Sequence, residues 1–230
     1  MDELIFSSPK KQGVFITFEG GDGAGKTTQI RLLSEKLQAY HLPHLVTREP
    51  GGTPSSEKIR ALLVKGSPEG WDGISEAFLV AAARREHLRN LIWPALQAGK
   101  WVLCDRFSDS TFAYQGFGHQ LGIPFVQTLH QLTMGDFQPD LTFLLQLEEK
   151  FGLRRKKKMP LSEDRYESFN DEFHKRVAEG YKSLLNIESR RFVSLNAEFS
   201  IDELASRIWN TLEEKGFLNE VLSNGHPSQD

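Results

Sequence analysis

The chain has 230 residues, 39% hydrophobic and 26% charged, with a formal net charge of −3. That length fits one domain over 1–230 with a substantial core, and that charge offers no global attraction to nucleic acid or an anionic membrane. No apolar run approaches a membrane span, Met1 to Lys11 is polar with no signal-peptide region, and Cys104, the sole cysteine, excludes an intrachain disulfide and fits the reducing cytoplasm.

Strands and helices alternate along the chain. Val14 to Phe18 is a short apolar strand, and Lys26 to Tyr40 is a helix with Ile30, Leu33 and Leu37 on one face. Leu45 to Thr47 is a second strand, ending in a loop, Arg48 to Gly52, marked by its Pro and Gly. Glu57 to Val64 reads as a short helix and Ser75 to Gln97 as a long one, interrupted near Pro94. Trp101 to Cys104 is a third strand, ending in Asp105-Arg106, and Ser108 to Tyr114 and Pro124 to Met134 are helical. Leu141 to Leu147 is a fourth strand. A basic, irregular stretch follows, Arg154 to Asp164. Arg165 to Ile187 is then one long helix, Phe192 to Leu195 a fifth strand, and Ile201 to Lys215 the last helix. The segment 223–230 is a polar tail.

Five short apolar strands separated by helices predict a parallel sheet with helices on both faces. Ligands of such sheets sit beyond the C-terminal strand ends. That edge carries Gly20-Gly21-Asp22-Gly23-Ala24-Gly25-Lys26-Thr27 after the first strand, Arg48 after the second, and Asp105-Arg106 after the third. The first of these is a G-x-x-x-x-G-K-[ST] phosphate loop between a strand and a helix, so the fold is of the P-loop NTPase type. Its glycines let backbone wrap phosphate oxygens, and the helix N-terminus turns its dipole and free N–H groups toward the anion. Lys26 supplies a point charge for the β- and γ-phosphates, and Thr27 a hydroxyl for Mg²⁺. ATP and Mg²⁺ are therefore the expected donor and metal.

A phosphate loop alone serves switches, motors, transporters and kinases. A second anion site discriminates among them, because transfer between two nucleotides brings two polyanions together. Arg48, Arg84 and Arg106 are candidates on the acceptor side. The run Arg154 to Lys158, followed by Arg165, is either a solvated, charged helix end or a lid over the donor. Its place between a strand and a long helix favours the lid, taken as 152–164.

The longer motifs are more specific. They are Phe18-Glu19-Gly20-Gly21-Asp22-Gly23-Ala24-Gly25-Lys26-Thr27-Thr28, Thr47-Arg48-Glu49-Pro50-Gly51-Gly52-Thr53, and Asp105-Arg106-Phe107 with Ser110-Thr111 and Ala113-Tyr114-Gln115-Gly116. Pro139-Asp140-Leu141-Thr142 and Asp164-Arg165-Tyr166-Glu167 add to them. With these motifs the chain resembles the thymidylate kinases from about Val14 to Leu212. The resemblance implies a nucleoside monophosphate kinase fold with a lid, phosphorylation of thymidine monophosphate by ATP with Mg²⁺, and a homodimer packed through helices.

The resemblance also assigns roles. Asp22 accepts from the 3′-hydroxyl of the acceptor sugar, tying the acceptor to the donor's loop. Arg48 and Arg106 lie near the acceptor phosphate, and Asp105 serves the metal shell or orients Arg106. Tyr114 packs at C2′ and selects deoxyribose, and Ser110 and Gln115 are hydrogen-bonders in the acceptor pocket. Arg84 meets the base edge, with Arg85 the alternative if the register slips by one. Two departures stand out. Gly23 occupies the position where some members carry an arginine, and members lacking it place catalytic arginines in the lid, which points to Arg154, Arg155 and Arg165. Val80 stands where the family has a Phe that stacks on thymine, with Phe78 two residues away. The competing readings are a kinase of another deoxynucleotide or a nucleoside, and a regulatory P-loop protein.

Overall fold

The computed structural model describes residues 11–147, 165–187 and 190–219. The lid segment with Arg154 and Arg155, and the polar tail, lie outside these described residues. Five parallel strands form one sheet: β1 (Phe15–Gly20), β2 (His44–Arg48), β3 (Trp101–Asp105), β4 (Leu141–Gln146) and β5 (Phe192–Asn196), in the spatial order β2-β3-β1-β4-β5. The helices are α1 (Lys26–Ala39), α2 (Pro54–Val64), α3 (Gly73–His87), α4 (Trp93–Gln97), α5 (Ser108–Thr111), α6 (Ile123–Met134), α7 (Asp171–Ile187) and α8 (Ile201–Glu214). Among the described residues, no helix is long and apolar enough to cross a membrane.

Side-chain alternation along β1 divides the core. Ile16 and Phe18 join Ile30, Leu33 and Leu37 of α1 and Leu204, Ile208 and Leu212 of α8 on one face. Phe15 faces the other way, against Leu88, Ile92, Leu96, Phe107 and Phe137. Further along that second face, Leu144 packs with Ala113, Tyr114 and the buried stripe Phe173, Val177, Tyr181 and Leu184 of α7. Thr17 and Glu19 alternate with the apolar positions and are both fully buried. Thr17 is matched by Thr142, its hydroxyl 2.8 Å away across the β1–β4 pairing.

The observed elements differ from the predicted ones where local chemistry bends a helix without ending it. The segment around Pro94 continues: α3 passes through a π-helical turn, Leu88–Ile92, into α4. A proline lacks the N–H that a regular α-helix needs, and the wider turn before it absorbs the mismatch. A second π-helical stretch, Phe112–Gly118, extends α5 beyond the predicted Tyr114. The helix predicted from Arg165 is split. Arg165–Ser168 is a 3₁₀ turn, and α7 starts at Asp171, where Asn170 Oδ1 accepts from the Phe173 amide at 2.9 Å. The helix predicted from Glu57 starts at Pro54, capped by the Thr53 hydroxyl.

Arg165, a candidate catalytic group by its place after the basic run, is held in a buried ion pair. Its guanidinium is fully buried and paired with the equally buried Glu76 of α3. Its remaining hydrogen bonds go to the Leu63, Ser67 and Pro68 carbonyls at 3.0–3.2 Å. Glu76 also accepts from Gln115 at 2.7 Å, and its Oε1 lies 3.0 Å from His119 Nε2. The charge of Arg165 thus ties the chain entering α7 to α2 and α3, and its neighbours Tyr166 and Glu167 reach the central cavity instead. Removing one partner of a buried ion pair leaves an uncompensated charge and costs about 3–5 kcal/mol. Arg165→Ala is therefore expected to lower the unfolding free energy by about that amount, read by urea denaturation. An unchanged midpoint with a selectively reduced kcat would return Arg165 to the catalytic set.

Candidate active site

The parallel register gathers the site at one sheet edge. Phe18 of β1 pairs with Asp105 of β3, and Asp105 pairs with Arg48 of β2. The phosphate loop leaves this edge at Gly20, whose φ of 129° and close approach to the Leu145 carbonyl, 2.3 Å from where a Cβ would sit, admit only glycine. The loop ends at Gly25, left-handed at φ 95°, from which α1 begins. A cavity of about 700 Å³ opens over the edge, lined by Asp22 to Gln29, Arg48, Arg84, Asp105, Arg106, Ser110, Tyr114 and Gln115.

Lys26 is buried, with Nζ donating to the Gly20 and Gly21 carbonyls at 3.1 and 3.0 Å. Burial, and then the nearby Arg106 charge, lower its pKa from the usual ammonium value. The Thr27 hydroxyl donates to Asp105 Oδ2 at 2.8 Å, so the two predicted metal-side oxygens sit together. Across the loop, Arg106 Nη2 donates to Asp22 Oδ1 at 2.7 Å. The other terminal nitrogen, Nη1, donates to Ser110 Oγ at 3.2 Å and Tyr181 Oη at 3.1 Å, and the guanidinium lies over the Tyr114 ring at 5.2 Å. The Arg106 backbone is left-handed, φ 66°, a conformation that is uncommon for a non-glycine residue and persists only when its surroundings fix it.

Part of what fixes it is Glu19. Its Oε1 accepts from the Phe107 amide at 2.8 Å and the Ser110 amide at 3.2 Å, and its Oε2 from the hydroxyls of Ser110 at 2.6 Å and Tyr181 at 2.9 Å. Burial and the nearby Asp109 carboxylate push the Glu19 pKa up to about 7, against the opposing pull of Arg106 and the hydrogen bonds. Asp109 is itself paired with Arg191, Nη2 to Oδ1 at 2.6 Å.

A second buried network holds Arg84. Its Nε donates to Glu49 Oε2 at 2.7 Å, Nη1 to Thr111 Oγ1 at 2.9 Å and Nη2 to the Phe107 carbonyl at 3.1 Å. Glu49 Oε1 lies 3.0 Å from His87 Nδ1, and His87 Nε2 lies 2.7 Å from the Thr47 hydroxyl. Burial alone raises the Glu49 pKa, but Arg84 and His87 outweigh it and hold the carboxyl below its usual value. The Glu49–Pro50 peptide bond is cis. Arg85 points elsewhere, to the Thr133 carbonyl and the Trp93 ring, so it is Arg84 that reaches the cavity. Arg48 is exposed and paired with Glu57 at 3.0 Å, while Glu57 also accepts from the Gly52 amide.

Val80 lines the cavity wall. Phe78, the nearby aromatic, is exposed on the outer face of α3 and packs edge-to-face on Phe125 of α6, so it does not replace the missing ring. The sequence reading assigned no role to Tyr166, Phe199, Arg60 and Leu204 in the cavity wall, or to Tyr181 beneath it. Tyr166 lies inside the motif Asp164-Arg165-Tyr166-Glu167 and is legible from it. Tyr181 had no signal beyond the apolar stripe of its helix.

A family model described as thymidylate kinase matches residues 18–208. A thymidylate kinase of Magnetococcus marinus is 46% identical over 208 residues, covering 90% of this chain and 99% of the relative. One from Rhodopseudomonas palustris is 47% identical over 204 residues, covering 87% and 89%. The crystal structure of a thymidylate kinase from Ehrlichia chaffeensis superposes with a TM-score of 0.72 at 34% identity, over 87% of this chain and 98% of that one. Sequence, fold and the two-sided cationic cavity agree: the chain belongs to the thymidylate kinase family, with the P-loop fold of a nucleoside monophosphate kinase.

Proposed function

We propose that the chain transfers the γ-phosphoryl group of ATP to thymidine monophosphate, giving thymidine diphosphate. The observation that carries this is the Asp22–Arg106 pair, which joins the donor's phosphate loop to a second cationic site within one cavity. A switch or a motor needs the loop, whereas a monophosphate kinase needs both sites.

In this reading the loop amides and Lys26 hold the β- and γ-phosphates of ATP, and the apolar wall at Ala197, Phe199 and Leu204 receives its base. Thr27 and Asp105 are hard oxygen donors in direct contact at the loop's end, a set that fits Mg²⁺. The ion, when bound, neutralises charge on the donor's phosphate oxygens. Arg106, with Arg48, grips the acceptor phosphate with a planar fork that an ammonium group cannot reproduce. Asp22 takes the sugar 3′-hydroxyl, Tyr114 closes the space at C2′, and Arg84 and Gln115 face the base. Ser110 reaches the acceptor side through Arg106. Arg154 and Arg155 remain in the proposal as further positive charge for the transferred group. The deciding assay couples ADP release to a panel of thymidine, deoxyuridine, deoxycytidine and ribothymidine monophosphates. The highest kcat/KM is expected for thymidine monophosphate, and a higher value for any other member overturns the assignment.

Val80 in place of an aromatic platform predicts shallow base discrimination. Stacking on an aromatic ring contributes about 1–3 kcal/mol per base. Val80→Phe is expected to lower KM for thymidine monophosphate and widen its lead over deoxycytidine monophosphate. An unchanged or higher KM means that another cavity ring, such as Tyr166, already serves.

The proposed homodimer packs through α3 and α6. Ile74 and Phe78, one turn apart on α3, and Leu132 on α6 are large apolar side chains about half exposed, and Phe78 touches Phe125 of α6. Phe78→Arg is expected to shift the sedimenting species to a monomer. A wild-type protein that sediments as a monomer at all concentrations excludes the dimer.

A further inference from the structure

We infer that Glu19 is a positioning residue for Arg106, acting through the hydroxyls of Ser110 and Tyr181. The inference rests on the reading of Arg106 as the grip on the acceptor phosphate.

A hydroxyl has one proton to donate and two lone pairs with which to accept. Ser110 and Tyr181 each place their oxygen within bonding distance of Glu19 Oε2 on one side and Arg106 Nη1 on the other. A guanidinium only donates, and Glu19, ionised above its pKa of about 7, then only accepts. With both hydroxyl protons turned to Glu19, both oxygens offer lone pairs to Nη1. A proton turned away from Glu19 would face the arginine's own N–H groups or go to the other hydroxyl, whose oxygen lies 3.0 Å away, and the ionised carboxylate is the stronger acceptor of the two. The carboxylate therefore sets the polarity of both hydroxyls and, through them, the seat of the guanidinium. Its second oxygen binds the Phe107 and Ser110 amides, the turn that immediately follows the left-handed Arg106 backbone. Glu19 thus holds Arg106 from the side-chain and the main-chain ends at once. Arg106 keeps Nη2 directed to Asp22.

A cap that merely stabilises the turn would need only Oε1, and glutamine separates the two roles. Glu19→Gln can keep a carbonyl oxygen toward the two amides, but its NH₂ then faces the two hydroxyls. Those hydroxyls must accept from it, and their protons are displaced toward Arg106. Tyr181→Phe is the second probe, because it removes one of the two acceptors of Nη1 and leaves the turn's amide bonds in place.

Steady-state kinetics of both variants, each in the native and the Arg106→Ala background, test the inference. In the native background each variant is expected to raise KM for thymidine monophosphate roughly tenfold, the scale of one hydrogen bond to a charged group, with KM for ATP within about twofold. In the Arg106→Ala background neither is expected to add a further loss, because the group they position is gone. Losses of equal size in both backgrounds, parallel rises in both KM values, or native kinetics in both variants overturn the inference. Should Glu19→Gln fail to fold, the Tyr181→Phe cycle decides alone. If Arg106→Ala by itself leaves KM for thymidine monophosphate unchanged, the reading of Arg106 fails and the positioning role falls with it, a result distinct from a silent Glu19 beside a damaging Arg106→Ala.

Discussion

The parallel pairing of β1 with β3 is the constraint from which the site follows. It places Phe18 opposite Asp105, and the hydrogen bond from the Arg106 amide to the Phe18 carbonyl continues that pairing for one residue past the strand. Thr27, the first turn of α1, then meets Asp105, and the loop residue Asp22 meets Arg106. A register slip would turn the wrong side chains to each face and separate both pairs. The apolar alternation of β1 against two helical layers makes such a slip expensive, so hydrophobic burial far from the chemistry fixes the phosphate loop relative to the second cationic site.

Buried glutamates then hold two arginines of the wall. Glu49 is paired with Arg84, and Glu19 is linked to Arg106 through hydroxyls, while Glu76 holds Arg165 behind the wall. Taking a carboxylate out of water costs several kcal/mol, and a buried pair rarely recovers more than that. These groups are therefore a poor means of stabilising the fold as such. Their effect is positional. Each of the two wall arginines is long and rotamer-rich, and anchoring it in advance removes an ordering cost from the substrate binding proposed above. The left-handed Arg106 backbone, about 1–3 kcal/mol above ordinary conformations, fits the same account. Four hydrogen bonds converge on one buried carboxylate, two of them from amides just after Arg106, and they over-determine that conformation.

The elements that the sequence shows plainly are those whose chemistry is contiguous. The phosphate loop, the Arg48 to Gly52 loop and Asp105-Arg106 each sit at the end of an apolar run, and the topology of parallel sheets brings such ends together. Tyr181 and Arg60 could not be found this way, because they join the site from helices whose periodicity reports only burial. The buried pairing of Arg165 is hidden in the sequence for a related reason. Its charge sat beside a basic run and read as part of it, while its partner Glu76 lies 89 positions away and looks like an ordinary first-turn acid of α3. The helix breaks at Pro94 and Tyr114 were misjudged because a π-helical turn keeps the chain helical where an α-helix would stop.

The two ends of the proposed acceptor are held unequally. At the phosphate end, Arg106 is oriented by Asp22, two hydroxyls and a ring face before any ligand arrives. At the base end, Arg84 already gives three hydrogen bonds to the protein, and the neighbouring wall residue is Val80. Charge-assisted, bidentate contacts to a phosphate are common to every nucleoside monophosphate and so bring affinity without discrimination. Discrimination must come from the sugar and the base, and without a ring at Val80 more of it falls on Tyr114 and on the hydrogen-bonding edge presented by Arg84 and Gln115. A site that binds tightly at the shared group and lightly at the distinguishing one selects by what it excludes. Under the proposed function, that excluding surface is assigned to the buried Tyr114 ring, which sits against Arg106, Tyr166 and Phe173.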